Sequence, residues 1–258
     1  MDKMGTIRHL FIVGIGPGSA ELMTKQAQLA IEKSEVIVGY RTYIDLIQPY
    51  IQGKEVVATG MTKEIERAEI AIDLAKKGKK VAVISSGDAG VYGMAGLIYE
   101  MIAAREEKIS VQIEVIPGIS AVNAAAALLG APLMNDYCTI SLSDLLTPWE
   151  QIEKRIRLAA DADFVIALYN PKSKKRILSI QKTQEILLQY RSVDTPVGIV
   201  KNAYRDDQEV IVTTLGEMLH HEMNMVTTII IGSSDTFKFD QKIVTPRGYQ
   251  NKYSLTER

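Results

Sequence analysis

The chain has 258 residues, 47% hydrophobic and 24% charged, with a formal net charge of −1 from 30 basic and 31 acidic side chains. This is the profile of a soluble globular protein with a real core. No apolar run approaches the ~20 residues that cross a bilayer, and the first ten residues lack the apolar run and small-residue cleavage site of a signal peptide. The charge balance argues against a nucleic-acid partner, which needs a cationic surface. One cysteine, Cys138, and three histidines, His9, His220 and His221, exclude an internal disulfide and offer no metal-ligand spacing. The expectation is a cytoplasmic protein with no protein-bound metal and no membrane partner.

The first half alternates short β-branched runs with longer helical patterns. Strands are predicted over residues 7–13, 35–38, 55–58, 80–85 and 111–116, each apolar and bounded by Gly, Pro or charge, as strands buried on both faces are. Helices are predicted over 24–32, 41–50, 63–77, 94–105 and 120–129. Such alternation implies a mainly parallel sheet covered by helices on both faces.

The first strand runs into Gly14-Ile15-Gly16-Pro17-Gly18-Ser19. A dinucleotide fingerprint fails here: Ser19 stands where the third glycine belongs, Pro17 removes an N–H from a phosphate cradle, and no acidic residue ends the second strand. The fourth strand runs into Ser86-Gly87-Asp88-Ala89-Gly90-Val91-Tyr92-Gly93, and the fifth into Pro117-Gly118-Ile119-Ser120-Ala121. Glycines permit close backbone approach, and a parallel sheet would bring all three loops to one edge. Asp88 is their only acid; as a plain helix cap it would need no ligand, and Ser120 reads equally as a cap. None of the loops holds a nucleophile–base pair, so they suit binding and orientation rather than covalent catalysis.

The second half restarts after Gly130-Ala131-Pro132, giving expected domains 1–130 and 131–258. Strands are predicted over 137–142, 164–169, 197–201, 210–213 and 226–231, and helices over 148–160, 174–190 and 215–220. Thr147-Pro148-Trp149-Glu150 reads as a capping box with Pro148 at the first helical position. The strand ending at Tyr169 is followed by Asn170-Pro171 and four cations in five residues, Lys172, Lys174, Lys175 and Arg176. Cations are unfavourable at a helix start, so the cluster points to an anionic partner as well as to a solvated face. Lys201-Asn202-Ala203-Tyr204-Arg205 ends another strand, and Thr227-Thr228 opens the last apolar run. The polar tail from Thr245 is expected on the surface or at a partner. Two α/β units place a ligand in the cleft between them, at the strands' carboxyl ends.

The ordered set Gly14-x-Gly16-Pro17-Gly18, Ser86-Gly87-Asp88, Pro117-Gly118-Ile119-Ser120, Leu168-Tyr169, Asn202-Ala203 and Thr227-Thr228 resembles the tetrapyrrole methyltransferases that use S-adenosylmethionine, over about residues 10–232. Gly39-Tyr40-Arg41-Thr42-Tyr43, the 86–94 loop with Ala89, 140–149 and 167–176 are similar to the ring-contracting branch of cobalamin synthesis. The resemblance implies an α/β fold of two domains and a homodimer. It implies methyl transfer to carbon 17 of precorrin-3B or its cobalt analogue, coupled to ring contraction. Pro17, Gly87, Asp88, Ala89, Val91, Ser120, Ala121, Tyr169, Ala203, Thr227 and Thr228 would contact S-adenosylmethionine. Ring contraction moves protons, for which Tyr40, Asp88, Asp136 and Asp144 are the candidates. The substrate is a polycarboxylate, so Arg41, Lys172, Lys174, Lys175 and Arg205 are candidates for its carboxylates. Rival readings are a methyltransferase acting on uroporphyrinogen III or precorrin-4, a relative that modifies RNA or a protein, and a nucleotide-binding module without catalysis.

Overall fold

The computed structural model describes residues 8–105, 111–173 and 176–255. The chain divides into two compact units, Met1–Ala121 and Val122–Arg258.

The first unit carries β1 (His9–Gly14), α1 (Lys25–Lys33), β2 (Val36–Tyr40), α2 (Arg41–Asp45), β3 (Glu55–Thr59), α3 (Glu64–Lys76), β4 (Val81–Ser85), α4 (Met94–Ala104) and β5 (Gln112–Ile116). The five strands form one sheet in the order β3-β2-β4-β1-β5, every neighbouring pair parallel. Side chains alternate between its faces. Leu10, Ile12, Val36, Val38, Val81 and Val83 pack with α3 and α4, while Phe11, Val13, Ile37, Ala82 and Ile84 pack with α1 and α2. Both faces are covered, which is why these strands read as unbroken apolar runs. Thr24 caps α1, its Oγ1 accepting the Ala27 amide at 3.1 Å. The helix expected over 41–50 stops after Asp45, and a separate 3₁₀ turn at Gln48–Tyr50 carries Pro49 in its first turn. Proline has no N–H to continue an α-helical ladder.

The second unit carries α5 (Ala121–Leu129), β6 (Gly130–Ala131), β7 (Tyr137–Ser141), α6 (Trp149–Asp161), β8 (Val165–Tyr169), α7 (Leu178–Leu187), β9 (Pro196–Lys201), β10 (Glu209–Thr214), β11 (Thr227–Ile231), β12 (Phe237–Phe239) and β13 (Lys242–Val244). Its main sheet runs β10-β9-β11-β8-β7. Only β7 and β8 pair in parallel; β11 runs against both β8 and β9, and β10 against β9. The sheet is therefore mixed. The helices α6 and α7 cover one face and α5 the other.

The chain divides after Ala121 rather than after residue 130, because α5 buries Val122, Ala125, Ala126 and Leu129 against Val165, Ala167, Val200 and Ile230 of the second sheet. Gly198 makes room for it: a Cβ there would lie 2.3 Å from Leu129 Cδ1. Full burial of a leucine contributes about 1.5–3 kcal/mol.

Local expectations shift for identifiable reasons. The capping box at Thr147 does not form; α6 starts at Trp149 with Pro148 as its N-cap and without a side-chain cap. Pro148 holds an extended backbone, ψ 144°, so it stands outside the helix. Only a 3₁₀ turn, Met218–His220, occupies 215–220. The helix expected from residue 174 begins at Leu178, so Lys172 and Arg176 precede it rather than burden its first turn. The 237–244 hairpin has no counterpart among the predicted strands; β13 pairs antiparallel with β12 and parallel with β6.

Candidate functional site

The parallel register brings the ends of β1, β4 and β5 to one edge, and there their loops lock together through backbone. Gly16 and Gly87 exchange amide bonds of 3.0 and 2.7 Å. Gly87 holds φ +67°, and a Cβ on Gly118 would stand 2.1 Å from the Gly87 carbonyl oxygen. Two glycines are required here because the chains touch main chain to main chain.

Asp88 ties the knot. Its Oδ1 accepts the Gly90 amide at 2.8 Å and its Oδ2 the Gly118 amide at 3.0 Å. It is not the cap of α4: Gly93 holds the N-cap position, and the Met94 amide donates to Ser85 Oγ at 3.2 Å. A carboxylate offers about four lone-pair sites, so a half-buried Asp88 keeps acceptor capacity beyond the two it spends on the loops. Gly87 and Ala89 on either side of it are buried, as are Pro17 after β1 and Ser120 after β5; Ala121 is half-buried, and Val91 is exposed. Tyr92 follows with φ +53° and its ring exposed. A half-buried carboxylate with acceptor capacity to spare suits a ligand with hydroxyl or amine donors.

Tyr40 ends β2 at the same edge, level with Thr59 of β3, and Arg41 next to it is exposed. Tyr40 and Tyr43 meet edge-on at 5.1 Å. Beneath them lies a residue that the sequence pattern did not flag. Arg67 is 4% exposed, donates from Nε to Thr59 Oγ1 at 2.8 Å and from Nη2 to the Gly60 carbonyl at 3.0 Å, and stands 6.0 Å from the Tyr40 ring centroid. Burial pushes its pKa below the usual arginine value, with Glu64, Tyr43 and Tyr40 pulling the other way. Its position four residues before Ala71, on the buried face of α3, was the available signal.

In the second unit, antiparallel β11 brings its amino end to the carboxyl ends of β8 and β9. Thr227 stands opposite Lys201, and Ile229 opposite Leu168 places Thr228 beside Tyr169. Tyr169, Ala203, Thr227 and Thr228 therefore share one edge. The Thr227 hydroxyl is spent on Asn224, accepting its amide at 3.0 Å, and the Tyr169 oxygen accepts the Val122 amide at 2.9 Å. Ser141, at the end of β7, pairs with Tyr169, so Asp144 follows at this edge. Asp136 does not: its carbonyl accepts the Val165 amide at the start of β7 and β8, a strand length (~16 Å at 3.3 Å per residue) from Ser141.

Among the cations, Lys172 is half-buried directly after the Tyr169 strand end, and Arg205 is half-buried after β9. Lys174 and Lys175 lie outside the described residues. Arg176 has turned inward, with a side chain 9% exposed. Cys138 in β7 is half-buried, and burial raises its thiol pKa, against a smaller opposing effect of Arg191. Among the described residues, no cluster of three or more His, Cys, Asp or Glu side chains could hold a metal ion, and no helix is long and apolar enough to cross a membrane.

Known proteins share this architecture and sequence. The chain is 57% identical over 250 residues to the cobalt-factor III methyltransferase of Priestia megaterium, matching 96% of this chain but 46% of that protein, so the chain spans about half of that relative. It is 49% identical to the probable cobalt-factor III C(17)-methyltransferase of Salmonella typhimurium, over 93% of this chain and 99% of that one. The crystal structure of the methyltransferase CobJ superposes with a TM-score of 0.85 at 35% identity, over 92% of this chain and 99% of that one. The family model for tetrapyrrole (corrin/porphyrin) methylases matches residues 9–219, and the chain belongs to that family.

Proposed function

We propose that this protein transfers a methyl group from S-adenosylmethionine to carbon 17 of precorrin-3B or its cobalt analogue, coupled to contraction of the macrocycle, in cobalamin biosynthesis. The observation that carries the reading is the Asp88 knot, in which the ends of β1, β4 and β5 meet at one edge in a chain of this family.

S-adenosylmethionine, when bound, supplies a methyl group on a positively charged sulfur, so the protein's part is alignment rather than nucleophilic attack. Asp88 accepts hydroxyl donors with its remaining lone pairs and favours the positive charge nearby. Pro17, Gly87, Ala89, Val91, Ser120 and Ala121 shape the ligand surface of the first unit. Tyr169, Ala203, Thr227 and Thr228 supply contacts from the second. Tyr40 and Asp144 are the proton-handling candidates; Asp88 is divided between the loops and the cofactor, and Asp136 lies at the opposite strand ends of its sheet. Arg41, Lys172, Lys174, Lys175 and Arg205 bind substrate carboxylates. The protein acts as a cytoplasmic homodimer.

Purified protein is incubated with S-adenosylmethionine and, separately, the metal-free and cobalt-containing tetrapyrroles. Mass spectrometry of the product should show one added methyl group with at least one substrate, and light scattering should give twice the chain mass of 28.5 kDa. Calorimetry should show binding of both S-adenosylmethionine and its demethylated product. Absence of methylation with both substrates, despite cofactor binding, overturns the substrate assignment; absence of cofactor binding overturns the whole reading.

A further inference from the structure

Arg176 belongs to a run of cations, yet its guanidinium does not face solvent. Its Nη1 donates to Ser143 Oγ at 3.3 Å and meets Asp144 Oδ1 at 3.5 Å. Its Nη2 donates to the Asn170 carbonyl at 3.1 Å and approaches Met225 Sδ at 3.6 Å, while Nε is buried without a partner. One side chain thus ties three segments: the loop after β7, the end of β8 and the approach to β11. All three sit at the edge that carries Tyr169 and Thr228.

The loop after β7 is held from several sides. The Leu142 amide donates to the Tyr169 carbonyl at 2.9 Å, and Asn170 Nδ2 and the Ser143 amide both donate to Ser141 Oγ, at 3.0 and 3.3 Å. At its tip stand Leu145 and Leu146, 75% and 97% exposed. The other tied segments add Met225, Val226 and Ile177, 39%, 41% and 51% exposed. Scattered surface leucines are ordinary, but adjacent ones presented by a tightly bonded loop form an apolar patch that asks for an occupant.

We propose that residues 143–147 form the platform that meets the flat apolar face of the tetrapyrrole, and that Arg176 is the positioning residue that sets the platform's height and angle. This rests on the methyltransferase reading above. The occupant follows from the chemistry: a macrocycle offers an apolar ring rimmed by carboxylates, and this patch offers leucines flanked along the edge by Lys172 and Arg205. A nucleotide would ask for hydrogen-bonding groups that Leu145 and Leu146 lack.

The test is steady-state kinetics of the full chain with the tetrapyrrole varied at saturating S-adenosylmethionine. Alongside it run calorimetry of S-adenosylhomocysteine binding and sedimentation. The surface double variant Leu145→Ser/Leu146→Ser should raise the tetrapyrrole KM about tenfold or more, with kcat, S-adenosylhomocysteine affinity and oligomeric state unchanged. Arg176→Met should raise the same KM and Arg176→Lys should restore part of it, a rescue that a general loss of stability would not produce. If Arg176→Met does not fold, the double variant decides alone, since both leucines lie outside the core. Active wild type with an unchanged KM in the double variant overturns the platform while leaving the methyltransferase reading intact. So does a variant that falls to monomers with its KM unchanged, which would make the leucines a subunit contact. Wild type that methylates no tetrapyrrole overturns both.

Discussion

Asp88 Oδ2 accepts the Gly118 amide at 3.0 Å across a sequence gap of thirty residues, while Oδ1 accepts Gly90 only two residues away. One carboxylate thereby shapes its own loop and fastens it to the next strand's loop. Asp88→Asn puts an NH₂ group against one of these two amides, donor against donor. Leaving a half-buried amide unmatched costs about 1–3 kcal/mol. The expected outcome is a lower melting temperature and S-adenosylhomocysteine binding weakened about tenfold or more. A variant that melts lower but binds normally would remove Asp88 from the ligand contacts.

Two glycine substitutions should move stability in opposite directions. Gly118→Ala drives a Cβ to 2.1 Å from the Gly87 oxygen and 2.7 Å from Gly14 backbone atoms. Backbone cannot give way there, so the cost should exceed the ~1–3 kcal/mol of ordinary overpacking. Gly96→Ala lies within α4, with nothing within 4 Å of the new Cβ, and should stabilise by about 0.5–1 kcal/mol. Denaturant melts of both variants check the pair.

Tyr169→Phe keeps the ring and removes the oxygen that accepts the Val122 amide at 2.9 Å. That amide belongs to the first turn of α5, which has no carbonyl inside the helix to receive it. The expected loss is about 1–3 kcal/mol, seen as faster hydrogen exchange at the start of α5. Unchanged exchange there would show that the tyrosine oxygen carries no load.

Burial raises the Cys138 thiol pKa above its ordinary value. A group whose folded pKa is raised stabilises the fold below its unfolded pKa, and that contribution is lost as pH climbs through the folded value. Stability should therefore decline as pH rises past about 9, and less so in Cys138→Ala. Iodoacetamide at pH 9 should label the native chain more slowly than the denatured one. Equal labelling rates would contradict the buried thiol.

The strands and the three loops of the first unit were legible because each signal is local. Apolar runs such as 80–85 end in glycine or proline, and a parallel sheet follows from the alternation with helices. Strand direction in the second unit was not. Nothing in Thr227-Thr228-Ile229-Ile230-Ile231 records that it runs against β8, yet that direction is what sets Thr228 beside Tyr169. Asp136 misled for a related reason: lying near a strand does not say which end it occupies. The β12–β13 hairpin escaped notice because its strands have three residues each and Phe237, Lys238 and Phe239 are all exposed, leaving no apolar alternation to see. Arg67 was marked only by its place on the buried face of α3, and Arg176 by nothing, because its partners include the Ser143 hydroxyl, the Asn170 carbonyl and the Met225 sulfur from three separate segments. Arginine composition carries no trace of such partners.

The pairing of β13 with β6 also bears on how the chain folds as it leaves the ribosome. The first unit has all five strands once residue 116 has emerged, and its helices interleave with them. It can close early, while the rest is still being translated. The second unit waits: β6 sits directly after α5, and its strand partner spans Lys242–Val244, more than a hundred residues later. Ile243, buried among the α5 contacts, arrives with it. A ribosome stalled at residue 236 should therefore carry a finished first unit and an unfinished second one, with α5 lacking part of the apolar cover that shields it from solvent.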